Sequence, residues 1–407
     1  MTDASPRSAA LAVVQRLRAA GFRAYFAGGC VRDELLGRTP SDYDVATDAV
    51  PEQITGLFDR TAEVGAHFGV VLVKVHREVI EVATFRADGS YSDSRRPDSV
   101  RFSTPEDDAQ RRDFTVNALF LDPGAAADRQ VIDFVGGMAD LKARVLRAVG
   151  DPHQRLAEDH LRALRAVRLA SKLGFAIEAQ TREAITQHAG DLRGVSRERI
   201  GDELRAMMGH PSRAVAATTL AELGLEAPVF RDGLGRFTGG VLARLGGAAE
   251  FGVCLAAWQL DRGLTLEEAA IEQSGRTLRD ALLLSNREQS DYRHALLGLK
   301  ALGPAWENAG IAARKRLLAG PMAIGRELLR ATDAARATRV DAEARRLAED
   351  GIGIEPGMIL TGDVLVSWGY RPGPAFKAIL SGVYDAQLEG RVKNLEEARE
   401  LVTRLSV

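Results

Sequence analysis

The sequence predicts an α+β protein in which a small mixed β-sheet with helices comes first and a long all-α region follows. Strand-type runs rich in Val, Ile and Phe are confined to roughly the first 150 residues. Helical periodicity dominates the rest of the chain. The length of 407 residues, with 45% apolar and 27% charged residues, fits about two to four globular domains and excludes wholesale disorder.

Short elements of both kinds are predicted at the N-terminus. Helical periodicity covers residues 8–20, and Ala24–Ala27 is a short apolar strand that ends at a glycine pair. The pattern then predicts a helix over Cys30–Leu36 and a strand over Tyr43–Ala46. Pro51 suits the first turn of a further helix that runs to Phe58.

Two longer strands are predicted next, over Val70–Val75 and Val79–Phe85, with a turn at His76–Glu78 between them. Residues 86–105 are rich in Arg, Asp, Ser, Gly and Pro, and this composition predicts a mobile polar loop. One more strand is predicted over Val145–Val149 before the strand signals end.

The region after this point is predicted to be helical, with helices at residues 156–173, 179–189, 196–208 and 211–223. Gly-rich segments at 232–247 and Gly351–Gly357 are interpreted as joints between helical units. We therefore expect a head at residues 1–145, a helical neck at 146–225, a helical body at 226–350 and a small helical tail at 351–407.

Charge and cysteine content narrow the functional classes. The 54 basic and 56 acidic residues give a net charge of -2, so a nucleic-acid partner would need a segregated basic face. The two cysteines, Cys30 and Cys254, form neither a zinc motif nor a disulfide framework, which favours a reducing, cytoplasmic setting. The amphipathic N-terminus is unlike a signal peptide, and no apolar run is long enough for a membrane span.

The first motif that suggests chemistry combines Gly28, Gly29 and Arg32 with Asp42 and Asp44. A glycine pair between strand and helix lets backbone amides approach a phosphate, and an arginine fork binds a triphosphate well. Two carboxylates two positions apart on a strand point the same way and suit Mg²⁺. Each half alone is better explained as a plain turn or a solvated loop, but the combination favours a functional site.

The second motif is Arg112-Asp113 with Asn117, which the sequence places on a predicted helix over residues 110–119. Asp113 and Asn117 then share a helical side, and Phe114, Ala118 and Leu119 pack inward. The arrangement suits contacts to ribose and phosphate. An ordinary Arg–Asp pair on an amphipathic helix is the alternative that the segment alone favours.

The third motif is a series of charged residues spaced three apart. Because steps of three drift slowly around a helix, they are predicted to form a slanting polar stripe on one helix. The members of the stripe are Asp159, Arg162, Arg165 and Arg168. Taken alone, the stripe reads as an exposed row of i, i+3 charge pairs.

Together these segments resemble the class II tRNA nucleotidyltransferases and bacterial poly(A) polymerases of the DNA polymerase β superfamily. The resemblance is strong over residues 20–225 and weaker over Leu360–Gly390. It extends to Glu81–Arg86 and to the loop segment Asp88–Pro97, and to three later segments: Asp133–Gly137 with Asp140, Leu141 and Arg144; Val195–Ile200; and Leu360–Asp363 with Arg371–Pro374.

The resemblance implies nucleotidyl transfer from a nucleoside triphosphate to a 3′-hydroxyl. Asp42 and Asp44 would hold two Mg²⁺ ions, and Glu81 is the candidate for a third carboxylate. Gly28, Gly29 and Arg32 would bind the triphosphate, and Arg112 would contact nucleotide phosphate or ribose.

Asp159 and Arg162 match the positions of the family's amino-acid template for the incoming base, and hydrogen-bond chemistry supports the match. A carboxylate accepts from the exocyclic amine of C or A, and a guanidinium donates to the adjacent ring nitrogen. U and G carry a carbonyl and a ring hydrogen there, so they leave buried groups unpaired. Arg165 and Arg168 would support this pair or contact phosphate.

Three products remain open: complete CCA, a partial CC or A addition, and poly(A). The long loop at 86–105 argues against a CC-only enzyme, and neither a basic C-terminal extension nor a His-Asp dipeptide is present. A non-catalytic RNA-binding protein is disfavoured by the intact Asp42 and Asp44, and a small-molecule nucleotidyltransferase would not need the template. We expect CTP and ATP as substrates, no obligate protein partner, and tRNA bound at its acceptor end and elbow.

Arg314–Arg316 and Arg371–Lys377 are candidate tRNA contacts, although surface solvation or helix capping is the interpretation that these segments alone favour.

Overall fold

Seven strands form one mixed sheet in the residues that the computed structural model describes, which are 5–63, 69–89, 99–127 and 130–405. Its strand order is β3-β4-β5-β2-β1-β8-β9, and two further two-stranded sheets pair β6 with β7 and β10 with β11. The strands are β1 Ala24–Ala27, β2 Asp44–Thr47, β3 Thr61–Glu63, β4 Val70–Val75, β5 Glu78–Thr84, β6 Arg86–Asp88, β7 Val100–Phe102, β8 Phe120–Leu121, β9 Val131–Ile132, β10 Val145–Leu146 and β11 Ala176–Ile177.

The centre of this sheet brings three chemically important segments together. Strand β2 pairs with β5 in parallel, and its register places Asp44 opposite Glu81. Strand β1 runs antiparallel to β2 and places Ala27 opposite Asp44. The glycine pair that follows Ala27 therefore lies beside the two carboxylates.

The chain divides into two compact units. The first comprises Met1–Glu203 and Thr219–Val229, and the second comprises Leu204–Thr218 and Phe230–Val407. The helices of the N-terminal part are α1 Pro6–Ala19, α2 Gly29–Leu35, α3 Pro51–Leu57, α4 Pro105–Gln110, α5 Gly137–Ala143, α6 Pro152–Glu158, α7 Arg162–Leu173, α8 Ala179–Gln187, α9 Arg197–Met208, α10 Arg213–Glu222 and α11 Glu226–Phe230.

Helix α1 covers the sheet because its apolar positions recur at helical spacing. Ala10, Val13 and Leu17 are fully buried, and the hydroxyl of Ser5 caps the helix by accepting from the amide of Ser8. A second apolar layer lies around Phe85 and Phe120, whose rings meet edge to face at 5.8 Å.

The regular secondary structure of the second unit, in its described residues, consists of helices joined by irregular segments. Trp258 and Tyr292 are its largest fully buried side chains, and the hydroxyl groups of Ser274 and Tyr292 lie 2.7 Å apart. Its last helices form a separate apolar cluster around Leu365 and Val383. The remaining helices are α12 Val241–Arg244, α13 Phe251–Asp261, α14 Glu268–Leu282, α15 Asn286–Ala301, α16 Pro304–Glu307, α17 Ile311–Ala319, α18 Gly325–Thr332, α19 Ala334–Ala348, α20 Gly362–Ser367, α21 Pro374–Leu388 and α22 Leu395–Leu405.

The predicted α+β class is confirmed, and most predicted elements differ by one or two residues from those observed. The predicted loop at 86–105 contains β6 and β7 and the start of α4, while its residues 90–98 lie outside the described residues. The predicted strand over Val145–Val149 is shorter and ends at Leu146. Across the described part of the chain, no helix is both long and apolar enough to span a membrane.

Candidate active site

A cavity of about 660 Å³ in the first unit brings together every site residue predicted from the sequence. Its wall also includes Glu81, Asp113 and Asn117. The predicted residues that line it are Gly28, Gly29, Arg32, Asp42, Asp44, Arg112, Asp159, Arg162, Arg165 and Arg168. The three motifs, which are spread over about 140 residues of sequence, thus face one space large enough for a small ligand.

Three carboxylates stand at one side of this cavity. Asp44 begins β2, Glu81 lies opposite it on β5, and Asp42 precedes the strand by two residues. Desolvation in the cavity, followed by repulsion from Glu81 and Asp42, raises the pKa of Asp44 to about 7. Desolvation and the charge of Asp42 also raise the pKa of Glu81. Gathering these groups therefore costs free energy that a bound cation would recover.

These three carboxylates suit a divalent cation that is shared with the phosphates of a substrate. Within the described residues, no basic side chain forms an ion pair with Asp42, Asp44 or Glu81. The same residues contain no group of three or more His, Cys, Asp or Glu side chains arranged to hold a metal ion alone. Mg²⁺ commonly takes one or two carboxylates together with substrate phosphates, so this partial set of ligands suits it.

The turn between β1 and α2 depends on Gly28. Its φ of +76° lies in the left-handed region, and a Cβ atom there would come within 3.0 Å of Nη1 of Arg112. Its amide donates to the carbonyl of Leu119 at 3.1 Å. Gly29 then starts α2, so the backbone at this turn is open to a ligand in the cavity.

Arg32 is held rigidly although it lines the cavity. Its side chain is buried, with Nε donating to Asp33 at 2.8 Å and Nη1 donating to Oδ1 of Asn117 at 2.5 Å. The side-chain amide of Asn117 in turn donates through Nδ2 to Oδ1 of Asp113 at 3.1 Å. The predicted triphosphate-binding arginine is thereby oriented by the second motif.

The predicted helix over residues 110–119 is wrong. Helix α4 ends at Gln110, Thr115–Asn117 form a 3₁₀ turn, and Phe114 bridges to Ala148. The predicted contact between Asp113 and Asn117 exists, but a tight turn makes it. The inward packing of Phe114, Ala118 and Leu119 is confirmed.

Arg112 is fixed by a buried carboxylate. Its Nε and Nη2 donate to Oδ2 of Asp108 at 3.1 and 2.9 Å, and its guanidinium lies over the ring of Phe120. Asp108 also accepts from Arg111 and is 1% exposed. Burial acts to raise the pKa of Asp108, but the charges of Arg112 and Arg111 outweigh it and lower that pKa.

The prediction that Asp159 shares one helix with the three arginines is wrong. Helix α6 ends at Glu158 and α7 begins at Arg162, with Asp159 in the turn between them. The side chain of Asp159 accepts from the amide of Leu161 at 3.1 Å and pairs with Arg199 at 2.6 Å. This turn brings the carboxylate to the same cavity as Arg162, which a continuous helix was expected to do.

Each arginine of the stripe on α7 has an acidic partner. Arg162 donates to Glu158 at 2.6 Å and Arg168 to Glu203 at 2.6 Å. Arg165 donates twice to Oδ2 of Asp113, at 3.0 and 2.6 Å. Burial acts to raise the pKa of Asp113, but Arg165 is the main charge that lowers it to about 2. The stripe is therefore a set of internal ion pairs facing a cavity, and the alternative of a merely solvated row is wrong.

The sequence patterns did not predict the residues that hold the site residues in place. These are Asp33, Asp108, Glu158, Arg199 and Glu203. Arg199 lies in the segment Val195–Ile200 that carries the family resemblance, so the sequence held a signal for it. Asp108 and Glu203 carry no local signal, because their partners are set by tertiary packing.

The candidate tRNA contacts at Arg314–Arg316 are occupied inside the second unit. Arg314 pairs with Glu343, Lys315 with Asp350 and Arg316 with Asp385. Lys315 is fully buried, which excludes it as a surface contact. The segment Arg371–Lys377 is mostly exposed before and at the start of α21, and its tRNA contact stays a prediction.

Asp133, Asp140 and Arg144, which also carry the family resemblance, stabilise the backbone around helix α5. Asp133 accepts from three backbone amides at 2.9–3.1 Å, and Asp140 accepts from the hydroxyl of Thr115 at 2.7 Å. Arg144 adopts a left-handed conformation at the end of α5. These residues shape the backbone that carries the second motif.

Comparison with known proteins agrees with this arrangement. Residues 24–147 match the model of the Poly A polymerase head domain, and residues 174–233 match the probable RNA and SrmB-binding site of polymerase A. The CCA-adding enzyme of Geobacillus stearothermophilus is 36% identical over 400 residues, covering 96% of this chain and 95% of that protein. The CCA-adding enzyme of Levilactobacillus brevis is 36% identical over 393 residues, covering 95% and 94%.

A solved structure agrees over the whole length. The crystal structure of the Bacillus stearothermophilus CCA-adding enzyme in complex with CTP superposes with a TM-score of 0.81 at 30% identity, covering 99% of this chain and 98% of that one. The 36% identity to the Geobacillus stearothermophilus enzyme extends over nearly all of both chains and therefore shows the family. The chain belongs to the CCA-adding enzyme family and is a nucleotidyltransferase.

Proposed function

We propose that this protein adds C, C and A to the 3′ end of tRNA, using CTP and ATP. The observation that carries the proposal is one cavity that contains both the carboxylates Asp42 and Asp44 and the base-reading pair Asp159 and Arg162. A cavity with only the carboxylates would suit any nucleotidyl transfer. The added Asp–Arg pair provides a means of choosing C and A.

Nucleotidyltransferases of this family use divalent metal ions, and we assign Mg²⁺ to Asp42 and Asp44. When bound there, the ions would supply Lewis-acid activation of the attacking 3′-hydroxyl and neutralise charge on the departing pyrophosphate. Glu81, opposite Asp44, is the candidate third carboxylate. Gly28, Gly29 and Arg32 would hold the triphosphate beside them.

Base choice would follow from the way Asp159 and Arg162 are held. Arg199 and Glu158 neutralise their charges and fix their orientation, so little rearrangement is needed when a base arrives. The carboxylate of Asp159 would accept a hydrogen bond from the exocyclic amine of C or A, while the guanidinium of Arg162 would donate to the neighbouring ring nitrogen. Arg165 and Arg168 stand on the same helix face one and two turns further on, where phosphate or ribose would lie.

The remaining assignments concern the roles of the helical regions and the cellular compartment. We assign the base template to the neck at 146–225 and tRNA binding to the helical body at 226–350 and the tail at 351–407, with the elbow and acceptor stem bound by shape and phosphate contacts. We place the protein in the cytoplasm, because both cysteines are free and buried, as a reducing compartment would leave them.

The test is an incorporation assay at one-nucleotide resolution with Mg²⁺. Three tRNA transcripts ending before CCA, after C and after CC are each offered CTP and ATP, singly and together. Three additions and no more on the shortest transcript are expected. A single A on the CC-ending transcript without any use of CTP, or a long A ladder, would replace CCA addition with A-only or poly(A) synthesis.

A further inference from the structure

Three imidazole rings and one carboxylate form a cluster that does not line the cavity of the candidate active site. Nδ1 of His153, in the first turn of α6, lies 3.2 Å from Nε2 of His188, which ends α8. Nδ1 of His188 lies 2.8 Å from Oδ2 of Asp191. Nδ1 of His160 lies 4.0 Å from the same oxygen and, among the described residues, has no hydrogen-bond partner.

The carboxylate fixes which nitrogen of His188 carries the proton. An ionised Asp191 only accepts hydrogen bonds, so Nδ1 of His188 donates to it and Nε2 of a neutral ring presents its lone pair. That lone pair points at Nδ1 of His153. His153 presents a second lone pair at the same place when its own proton is on Nε2.

The spacing of these two nitrogens matches a shared metal ion. Two nitrogens bound at about 2.0–2.1 Å lie about 2.9 Å apart at a right angle and about 3.4 Å apart at the tetrahedral angle. The observed 3.2 Å falls between these limits. The two rings are also inclined at 64°, so neither stacks over the lone pair of the other.

We propose that His153 and His188 form a binding site for a borderline transition-metal ion such as Zn²⁺, with Asp191 orienting His188. Metal-bound histidines regularly donate their other ring nitrogen to a carboxylate, which is the role that Asp191 already has. Two protein ligands leave the remaining positions to water. The site is therefore weaker than a structural zinc site, and its loss does not unfold the protein.

Ligand chemistry separates this site from the one at Asp42 and Asp44. Imidazole nitrogen suits Zn²⁺, Cu²⁺ and Ni²⁺, whereas Mg²⁺ prefers oxygen. An ion held by His153 and His188 links the start of α6 to the end of α8. Since α6 leads directly into the turn that holds Asp159, occupancy stiffens the helix on which that turn depends.

The experiment is calorimetric titration of the full-length protein with Zn²⁺ in a large excess of Mg²⁺, which occupies oxygen sites. One Zn²⁺ per chain is expected. His153→Gln and His188→Gln are each expected to weaken binding at least tenfold, and Asp191→Asn by about tenfold to a hundredfold. The matched control is His294→Gln in the second unit, whose ring lies within hydrogen-bond distance of the Ser290 hydroxyl, and it should bind Zn²⁺ like the unaltered protein.

Melting curves without Zn²⁺ check that each variant is folded. His153 is exposed, so His153→Gln is expected to melt like the unaltered protein, and it decides the matter if His188→Gln folds poorly. Zn²⁺ should raise the melting temperature of the unaltered protein and not that of His153→Gln. Absence of saturable Zn²⁺ binding, or undiminished affinity in both histidine variants, would overturn the proposal.

Discussion

Asp44 and Glu81 lie directly opposite each other in the parallel pair of strands β2 and β5, with no basic side chain of the described residues paired to either. Like charges placed opposite each other in a sheet are destabilising. A sheet that keeps them does so at some cost in stability, which is typical of a functional site. The carboxylates on this side of the cavity therefore give two predictions, one for activity and one for stability.

Asp42→Asn and Asp44→Asn should each reduce nucleotidyl transfer about a thousandfold or more, because several kcal/mol of metal-mediated charge stabilisation are lost. Single-turnover incorporation with saturating tRNA measures this loss. Binding of tRNA, followed by fluorescence anisotropy, should stay within twofold. Asp59→Asn is the matched control, since Asp59 is exposed on the same unit and does not line the cavity. Near-normal turnover in either Asp42→Asn or Asp44→Asn would remove the metal assignment.

The pKa of about 7 for Asp44 gives a second prediction, about stability in the absence of metal. The pKa is raised from 3.8, so between about pH 4 and pH 7 the folded protein holds a proton that the unfolded chain has lost. The free energy of unfolding contributed by this group is therefore fully present below pH 4 and is lost as the pH rises through 7.

Asp44→Asn lacks this titrating group and should melt at a higher temperature than the unaltered protein at pH 8 in EDTA. The two melting temperatures should converge near pH 4. Thermal melts at closely spaced pH values test this, with Asp59→Asn expected to follow the unaltered protein throughout. A constant offset between the curves at all pH values would mean that charge is not the cause.

Base choice should depend on Asp159 and Arg162. Arg162→Ala or Asp159→Ala should lower discrimination against UTP and GTP at least tenfold, because the wrong base no longer leaves a buried partner unpaired. The measurement is kcat/KM for each of the four nucleotides on a tRNA ending before CCA. Arg182→Ala is the control, since Arg182 forms an exposed pair with Glu222. An unchanged preference for C and A in both template variants would end the template assignment.

Replacing Gly28 tests the turn that faces the triphosphate. Gly28→Ala should cost about 1 kcal/mol or more in stability, because φ is +76° and the added Cβ meets Arg112 at 3.0 Å. It should also raise the KM for CTP and ATP, because Arg112 must shift. Gly21→Ala is a matched control: its φ is +92°, with nothing within 4 Å of the added atom. Gly21→Ala should lose stability alone, whereas an equal rise in KM for both variants would contradict the role of the turn.

Local signals predicted the parts of the site that local structure builds. The strand Ala24–Ala27, the glycine pair after it and the strand that starts near Asp44 each follow from a few neighbouring residues. The predicted helix at 110–119 was wrong because the backbone of this segment forms hydrogen bonds with a segment distant in sequence. The backbone amide of Thr115 donates to the carbonyl of Arg147, and the backbone amide of Val149 donates to the carbonyl of Asp113. Helical periodicity carries no information about such pairing.

Two other predictions, a continuous helix through Asp159 and a surface position for Lys315, were wrong for a related reason. The carboxylate of Asp159 caps the amide of Leu161 and pairs with Arg199, forty residues away, so side-chain bonds compete successfully with helix continuation. Lys315 stands in a basic run that reads as surface, yet its ammonium group meets Asp350 at 2.6 Å. In both cases the deciding partner is remote in sequence.

Asp108 is the clearest example of such a remote constraint, and it gives the last prediction. It is 1% exposed and accepts from both Arg111 and Arg112, so Asp108→Ala leaves two guanidinium groups without their buried counter-charge. Removing one partner of a buried pair costs about 3–5 kcal/mol, and we expect a loss in this range from urea unfolding. The KM for CTP and ATP should also rise, because Arg112 loses the two bonds that orient it.

Asp107→Ala provides the comparison for Asp108→Ala from the same helix. The side chain of Asp107 is about half exposed, accepts from the hydroxyl of Ser103 and lies 4.0 Å from Arg101, so its replacement should cost less than about 1 kcal/mol and leave KM unchanged. If Asp108→Ala lowers stability without raising KM, Asp108 supports the fold and Arg112 is oriented by Phe120 and the carbonyl of Asn117 alone. If both quantities change, the buried carboxylate positions the arginine at the nucleotide.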